Sequence, residues 1–481
     1  MDVSVFLDEF RPFRRGEIAL ARKLLEDPLF LHPRRLDLLR YAVRLAQIST
    51  IGSEPGDLID RIGSFRLRLL QLLAPVLPTD PAAIDPARLD GRLDKVALLV
   101  GQTRDKIVGA GLVSEERLDA EIAHKRLVVV LGGAAGSGYV FLGALNVLER
   151  MGITPAYMVG CSVGSVLAVV RARTHRFELE ALFEDIRRLR EKGIFRAPDL
   201  NPRFGLPAAL RLDLRGALGE LFAGGDGQRA LRDLELPVDC LSTGLGPGAL
   251  SEPRESYSRV VDADLHDARD LAELGSGVLA RVVGTVISLA MSRKVFVPLL
   301  MGSDADTAEL PALDAAGFSA AIPGLLSYDP PVDDARSAAI LDGLMARHEL
   351  VGIVDGALTS LIPARYAWEA IEAGRIGSRH CAILALDAVA KPRGANAVLA
   401  PLLRTISATA DRDRPFWDLH VNFRRVPPFL DLFPTLARLR RSAQNGEREF
   451  GATAELLRAL LAPLRRWKEI MAGAPRAQRD G

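Results

Sequence analysis

The stretch AYMVGCSVGSVLAVV, residues 156–170, runs from an apolar segment into a helical pattern through Gly160-Cys161-Ser162-Val163-Gly164. An apolar run that breaks at a glycine and resumes at helical spacing reads as strand, tight turn, helix. Gly-x-Ser-x-Gly in that setting is the pattern of a nucleophile elbow. The serine backbone is strained there, and the residues two before and two after must be small, as Gly160 and Gly164 are. The helix that follows would aim its free N–H groups and its dipole at negative charge developing on Ser162. The pentapeptide alone leaves two readings open: a nucleophile, or a small residue where two elements pack closely.

The same texture recurs on both sides. LVVVL (127–131) precedes the glycine turn GGAAGSG (132–138), LVGIV (350–354) precedes Asp355, and CAILAL (381–386) precedes DAV. Strands alternating with helices predict an α/β fold with a mostly parallel sheet covered on both faces, its working groups beyond the carboxyl ends of the strands. The stretches 127–148 and 151–170 are uncharged and of membrane-spanning length. Glycines clustered within their β-branched runs fit buried strands feeding buried helices instead, so no transmembrane helix is expected.

Flanking this texture are two helical regions, giving expected domains of 1–125, 126–395 and 396–481. In the first, Leu36, Leu39, Val43 and Ala46, with Leu38, Ala42 and Leu45 alongside, recur at helical spacing, and Arg34, Arg35, Arg40 and Arg44 lie among them. PVLPTDPAAIDPARLD (75–90) interrupts it. The last region holds 15 Lys/Arg against 9 Asp/Glu, with Phe416, Trp417, Phe423, Phe429, Phe433 and Trp467 interleaved. That mixture suits peripheral contact with an anionic membrane surface. A helical bracket packed on the sheet explains it more simply.

Composition excludes several classes. The 481 residues are 48% hydrophobic and 26% charged, which describes a globular chain with a sizeable core. With 62 Lys+Arg against 61 Asp+Glu the net charge is +1, which gives no ground for a nucleic-acid partner. Cys161, Cys240 and Cys381 are too scattered for a disulfide framework or a zinc site, so neither a metal nor another cofactor is expected. The opening MDVSVFLDEF carries Asp2, Asp8 and Glu9 where a secretory signal needs a basic start and an apolar run. The expected location is cytoplasmic.

Backbone N–H groups in the turn at 132–138 can converge on a tetrahedral oxyanion. Gly132-x-x-x-Gly136-x-Gly138 also fits a dinucleotide-binding turn, which would make the chain a nucleotide-dependent oxidoreductase. That reading requires a ribose-recognising residue at the end of the next strand, which instead ends in Val159-Gly160-Cys161-Ser162. It also requires a Tyr-x-x-x-Lys pair, and neither Tyr157 nor Tyr366 has one. Asp355, at a strand end before Gly356, is a candidate base for Ser162 or a turn residue in an Asp-Gly loop. His380 is the rival base, because the order Ser162, Asp355, His380 matches that of an α/β-hydrolase triad. It precedes the strand Cys381–Leu386, at the amino end, where a surface or structural role fits better.

GGAAGSG, Gly143-x-Leu145-x-x-Leu148, GCSVG, SAAIPGL (319–325), and Asp355-Gly356-Ala357 followed by Pro363, in this order, resemble the patatin-like phospholipase family over about residues 126–390. The resemblance implies a three-layer α/β/α domain and a cofactor-free lipid acyl hydrolase of the phospholipase A or lysophospholipase kind. It implies a Ser-Asp dyad of Ser162 and Asp355, with an oxyanion hole among Gly133, Ala134, Ala135, Gly136 and Gly138. Residues 206–223 and 250–318 are candidates for an acyl pocket and lid. Two departures stand out: Ala134 and Ala135 replace family glycines, and Ser137 occupies a basic position. Backbone amides survive such replacements where φ stays negative. A catalytically weak or inactive lipid-binding scaffold is the alternative within the same fold.

Overall fold

The computed structural model describes residues 3–51, 58–225, 227–250, 283–289, 295–389, 400–432 and 434–472. Residues 251–282 and 290–294, within the stretch expected to supply a lid, lie outside the described residues, as does Phe433. The chain divides into two units. One comprises Met1–Leu127, Glu369–Ala382 and Ala452–Gly481, the other Val128–Trp368 and Ile383–Gly451. Residues 400–451, which the sequence placed in a separate C-terminal region, therefore belong to the unit that carries Ser162.

The first unit is helical, with α1 (Val3–Glu26), α2 (Pro33–Leu45), α3 (Leu58–Leu73), α4 (Leu93–Gly109) and α5 (Glu115–Ala123). Residues 38–46 are buried on every side of α2, as expected of a helix surrounded by others. Arg40 and Arg44 are buried with them. His380 belongs to this unit and is buried, which excludes the surface role. Its Nδ1 meets Glu121 O at 3.0 Å, and burial beside Lys125 and Arg44 holds its pKa well below the usual histidine range.

The second unit is built on a sheet of β1 (Arg126–Leu131), β2 (Tyr157–Cys161), β3 (Val238–Leu245), β4 (Phe296–Met301), β5 (Gly352–Asp355), β6 (Cys381–Asp387) and β7 (Leu419–Asn422). Their order is β5-β3-β2-β1-β6-β7, with β4 also on β3. The pairs β1–β2, β2–β3 and β6–β7 are parallel, so the fold is mixed α/β with a mostly parallel central sheet. Helices α6 (Phe141–Arg150), α7 (Val163–Ala172), α8 (Leu179–Lys192), α9 (Ala312–Ser319) and α10 (Ala400–Asp413) follow in chain order, before α11 (Leu436–Leu461). Among the described residues, no helix is long and apolar enough to cross a membrane.

Two features of register position the site. Val130 pairs with Val159 and Leu131 with Gly160, so the glycine turn and the elbow leave the sheet side by side. Cys161 pairs with Leu241 on β3, but β3 continues to Leu245, beyond the end of β2. On that extension β5 pairs antiparallel, setting Asp355 opposite Ser242, one residue past the partner of Cys161. An overshooting strand brings the aspartate to the elbow from the opposite direction.

Aromatic residues of the basic tail are partly absorbed into packing. Phe416 and Phe423 are buried, and Phe423 lies 5.9 Å from Phe141 between ring centroids. Helix α11 reaches α6 at Gly143 and Gly446. A Cβ at Gly143 would stand 2.0 Å from Ala443 O, so a side chain there would force the helices apart.

Candidate active site

Ser162 lies at the turn between β2 and α7 with φ +55° and ψ −129°, a left-handed backbone for a non-glycine residue. Glycine at both flanking positions is enforced by backbone. A Cβ at Gly160 would sit 2.3 Å from Ser165 Cα, and one at Gly164 2.3 Å from Leu131 O. No side-chain movement relieves either clash. Gly160→Ala and Gly164→Ala are each expected to lose about 3 kcal/mol of stability or more, read as a fall in the thermal midpoint. A native midpoint in either variant would show that the elbow is looser than described.

The elbow is held by a residue that sequence reasoning quoted without a role. Ser162 N–H donates to Ser319 Oγ at 2.9 Å, Ser319 Oγ donates to Leu241 O at 2.5 Å, and Ser165 Oγ lies 2.7 Å from Ser319 Oγ. Ser319 is the first residue of SAAIPGL and the last of α9. The next residues of that motif hold Asp355, whose N–H donates to Ala321 O at 2.9 Å. One motif therefore ties the two candidate groups to the same backbone. Only the tertiary contacts reveal this use of a serine and an alanine carbonyl.

The Asp355 carboxyl is buried. Its Oδ1 accepts from Ala357 N–H at 2.8 Å, and Oδ2 has no well-aligned donor among the described residues. Burial pushes its pKa up to about 6, while the Ser162 hydroxyl and the Ala357 amide oppose that rise. The Ser162 hydroxyl is thus close enough to act on the carboxyl, without an aligned bond to Oδ2. Gly356 is required because a Cβ there would stand 2.1 Å from Leu241 O. Cys161, beside the elbow, is fully buried and its thiol pKa is raised by burial and by Asp355, so it stays protonated.

The turn after β1 divides the five candidate oxyanion residues. Gly133 N–H donates to Leu361 O at 2.9 Å and Gly136 N–H to Phe429 O at 2.8 Å, so both amides are already engaged. Gly138 packs against the elbow, where a Cβ would meet Val163 Cγ1 at 2.6 Å, and lies within the 3₁₀ turn Ala135–Val140. Among the described residues, no hydrogen bond is donated by the N–H of Ala134 or Ala135, and both line the space beside Ser162. The same engagement removes donors that a dinucleotide pyrophosphate would need. Ala134 has φ −150° and tolerates its methyl group, but Ala135 has φ +44°, where an L-residue costs about 1–2 kcal/mol. Ser137 Oγ donates to Pro427 O at 2.9 Å, bracing the turn against the segment before α11.

Two apolar chambers meet at Ser162. The larger, about 860 Å³ including its open mouth, runs along the α7 stripe Val163, Val166, Leu167 and Val170. Residues 206–223 contribute Leu212, Leu214, Leu218 and Leu221 to it. Within that segment Ala208–Leu212 is a strand, paired parallel with Gly324–Ser327, and Leu214–Leu218 is a short helix. The smaller chamber, about 430 Å³ on the same measure, holds Asp355 and is walled by Leu358, Leu361, Ile406 and Phe429. Ser162, Ala135 and Ile322 border both. Among the described residues, no cluster of three His, Cys, Asp or Glu is placed to hold a metal.

A serine on a strained strand-to-helix elbow, set at the edge of a mostly parallel sheet and opening on apolar chambers, is the layout of a nucleophile elbow on an α/β fold. The family model of the patatin-like phospholipases matches residues 128–368, half of the chain, and the protein belongs to that family. No curated protein matches the chain.

Proposed function

We propose that the protein hydrolyses lipid acyl esters through Ser162 and Asp355. The observation that carries this reading is Ser162 at a left-handed elbow beside a buried carboxyl, with an apolar chamber opening from the same serine. In the first step the Ser162 Oγ–H proton passes to Asp355 as Oγ bonds to the ester carbonyl carbon. The carbonyl oxygen takes up negative charge, for which the amides of Ala134 and Ala135, without an acceptor among the described residues, and the start of α7 are the candidate stabilisers. The carbon–oxygen bond to the alcohol then breaks, and the proton on Asp355 goes to the departing oxygen. Water repeats the sequence in reverse roles, yielding free acid and Ser162.

Asp355 must be ionised to take the proton. With its pKa at about 6, kcat/KM for a chromogenic decanoyl ester is expected to fall below pH 6 along a single-proton limb and to level off above pH 7. A rate unchanged down to pH 4.5 would remove Asp355 from the base role. The reading as a whole is tested with a fluorophosphonate probe: wild type labels at Ser162, and Ser162→Ala does not label. An unlabelled wild-type protein that also hydrolyses no ester would make the chain a lipid-binding member of the family instead.

A further inference from the structure

The two chambers differ in one respect that the acyl-transfer chemistry makes meaningful. Both border Ser162, but Asp355 lines only the smaller one. The departing alcohol oxygen must collect a proton from Asp355, so the alcohol side of the ester has to lie toward Asp355 while the acyl chain lies along α7. The smaller chamber is therefore the place into which the alcohol group extends.

Its chemistry is apolar. Val286, Leu358, Leu361 and Ile406 are buried side chains on its wall, with Phe429 beside them. Among the described residues that line it, none is Lys, Arg or His, and the one charged side chain is Asp355 itself. A phosphate or sulfate next to the ester would enter beside a carboxylate with no cation among the described lining residues to pair with, which a low-dielectric site penalises strongly. An alkyl or other uncharged group instead gains by leaving water. The larger chamber repeats the pattern, with Asp185 the one charged residue on its described wall.

We infer that the smaller chamber binds the alcohol side of the ester, and that the substrates are uncharged esters with apolar groups on both sides of the carbonyl. This rests on the hydrolase reading above and adds the substrate class to it. Neutral esters of fatty acids with bulky or long alcohols fit. Esters whose alcohol carries an anionic headgroup next to the bond do not.

The test uses decanoic acid esterified to methanol, hexanol or decanol in neutral detergent micelles, beside didecanoyl phosphatidylglycerol in the same micelles. Expected is a rise in kcat/KM of at least tenfold from methyl to hexyl, with the phospholipid at least tenfold slower than the decyl ester. Ile406→Ala is expected to move the alcohol preference toward bulkier groups while the dependence on acyl length keeps its shape. Leu167→Ala, on the other chamber, is expected to do the converse. A flat or falling alcohol series, or a phospholipid cleaved faster than the decyl ester, overturns the inference while leaving a fluorophosphonate-reactive hydrolase intact. Binding separates the two ideas without turnover. A ketone with decyl-length chains on both sides should bind Ser162→Ala at least tenfold more tightly than the matching methyl ketone, and equal affinities would overturn the two-chamber assignment even if no hydrolysis occurs.

Discussion

Asp355→Asn is expected to remove ester hydrolysis and to stabilise the fold at the same time. The amide cannot accept the Ser162 proton, so kcat should fall about 10²–10⁴-fold, and Ser162→Ala, which removes the bond-forming atom, by about 10⁴-fold or more. The gain in stability follows from burial. Asp355 has an ordinary pKa of 3.8 in the unfolded chain and about 6 in the folded one. Below pH 3.8 the group is protonated in both states and burial costs little. As pH rises from about 4 to 6 the unfolded chain ionises first, and folding must then carry a charged carboxyl into an apolar site. Two pKa units at about 1.4 kcal/mol each place that cost near 3 kcal/mol at neutral pH, which asparagine avoids. Thermal midpoints of wild type and Asp355→Asn should therefore coincide near pH 4 and diverge toward pH 7, with the variant higher. A variant that is inactive but less stable at pH 7 would mean that Asp355 holds the elbow together rather than serving as its base.

The second large effect lies in the helical unit. Arg44 is fully buried, its Nε donating to Glu17 Oε1 at 2.7 Å. Nη1 donates to Ala123 O at 2.8 Å and Nη2 to Leu460 O at 2.6 Å. These carbonyls lie at the ends of α5 and α11, where the helix dipoles concentrate negative charge. Burial pushes Glu17 up, but Lys125 and Arg44 outweigh it and hold the carboxyl ionised well below its usual range. Arg44→Met would leave Ala123 O with the Leu464 amide and Leu460 O with Arg40 Nη2 as their remaining donors, and Glu17 short of one cation, a loss of about 3–5 kcal/mol. Lysine should not rescue it, because one ammonium cannot reach three acceptors set out for a planar fork. Hydrogen exchange followed by mass spectrometry should show the loss as faster exchange in residues 36–47. Unchanged exchange there would mean that apolar packing alone carries α2.

Arg44 also shows where reading a chain from its residues stops. The apolar periodicity of residues 36–46 made a helix legible, but not where the arginines among those positions point. Whether an arginine faces water depends on where other helices end, and those ends come from residues more than 70 and 400 positions away. His380 was legible in position but not in burial for the same reason. The basic, aromatic C-terminal region was legible as helical. Its division between two units was not, because amphipathic helices of one composition pack equally well on either surface.

At the candidate site the division is sharper. The order of GGAAGSG, GCSVG, SAAIPGL and Asp355-Gly356-Ala357 sufficed for the family, and glycine spacing sufficed for a strained serine, because those demands are local: a backbone with no room for Cβ can be recognised from the residues that lack one. Three matters were decided by tertiary structure alone. Asp355 reaches Ser162 because β3 overshoots β2 and β5 pairs antiparallel on the extension, a register that no single strand encodes. Among the described residues Ala134 and Ala135 are left as turn amides without an acceptor because Leu361 and Phe429 carbonyls, from distant segments, occupy the amides of Gly133 and Gly136. And the serine opens on two apolar chambers, since walls drawn from six or more separate elements exist only once the chain has folded around them.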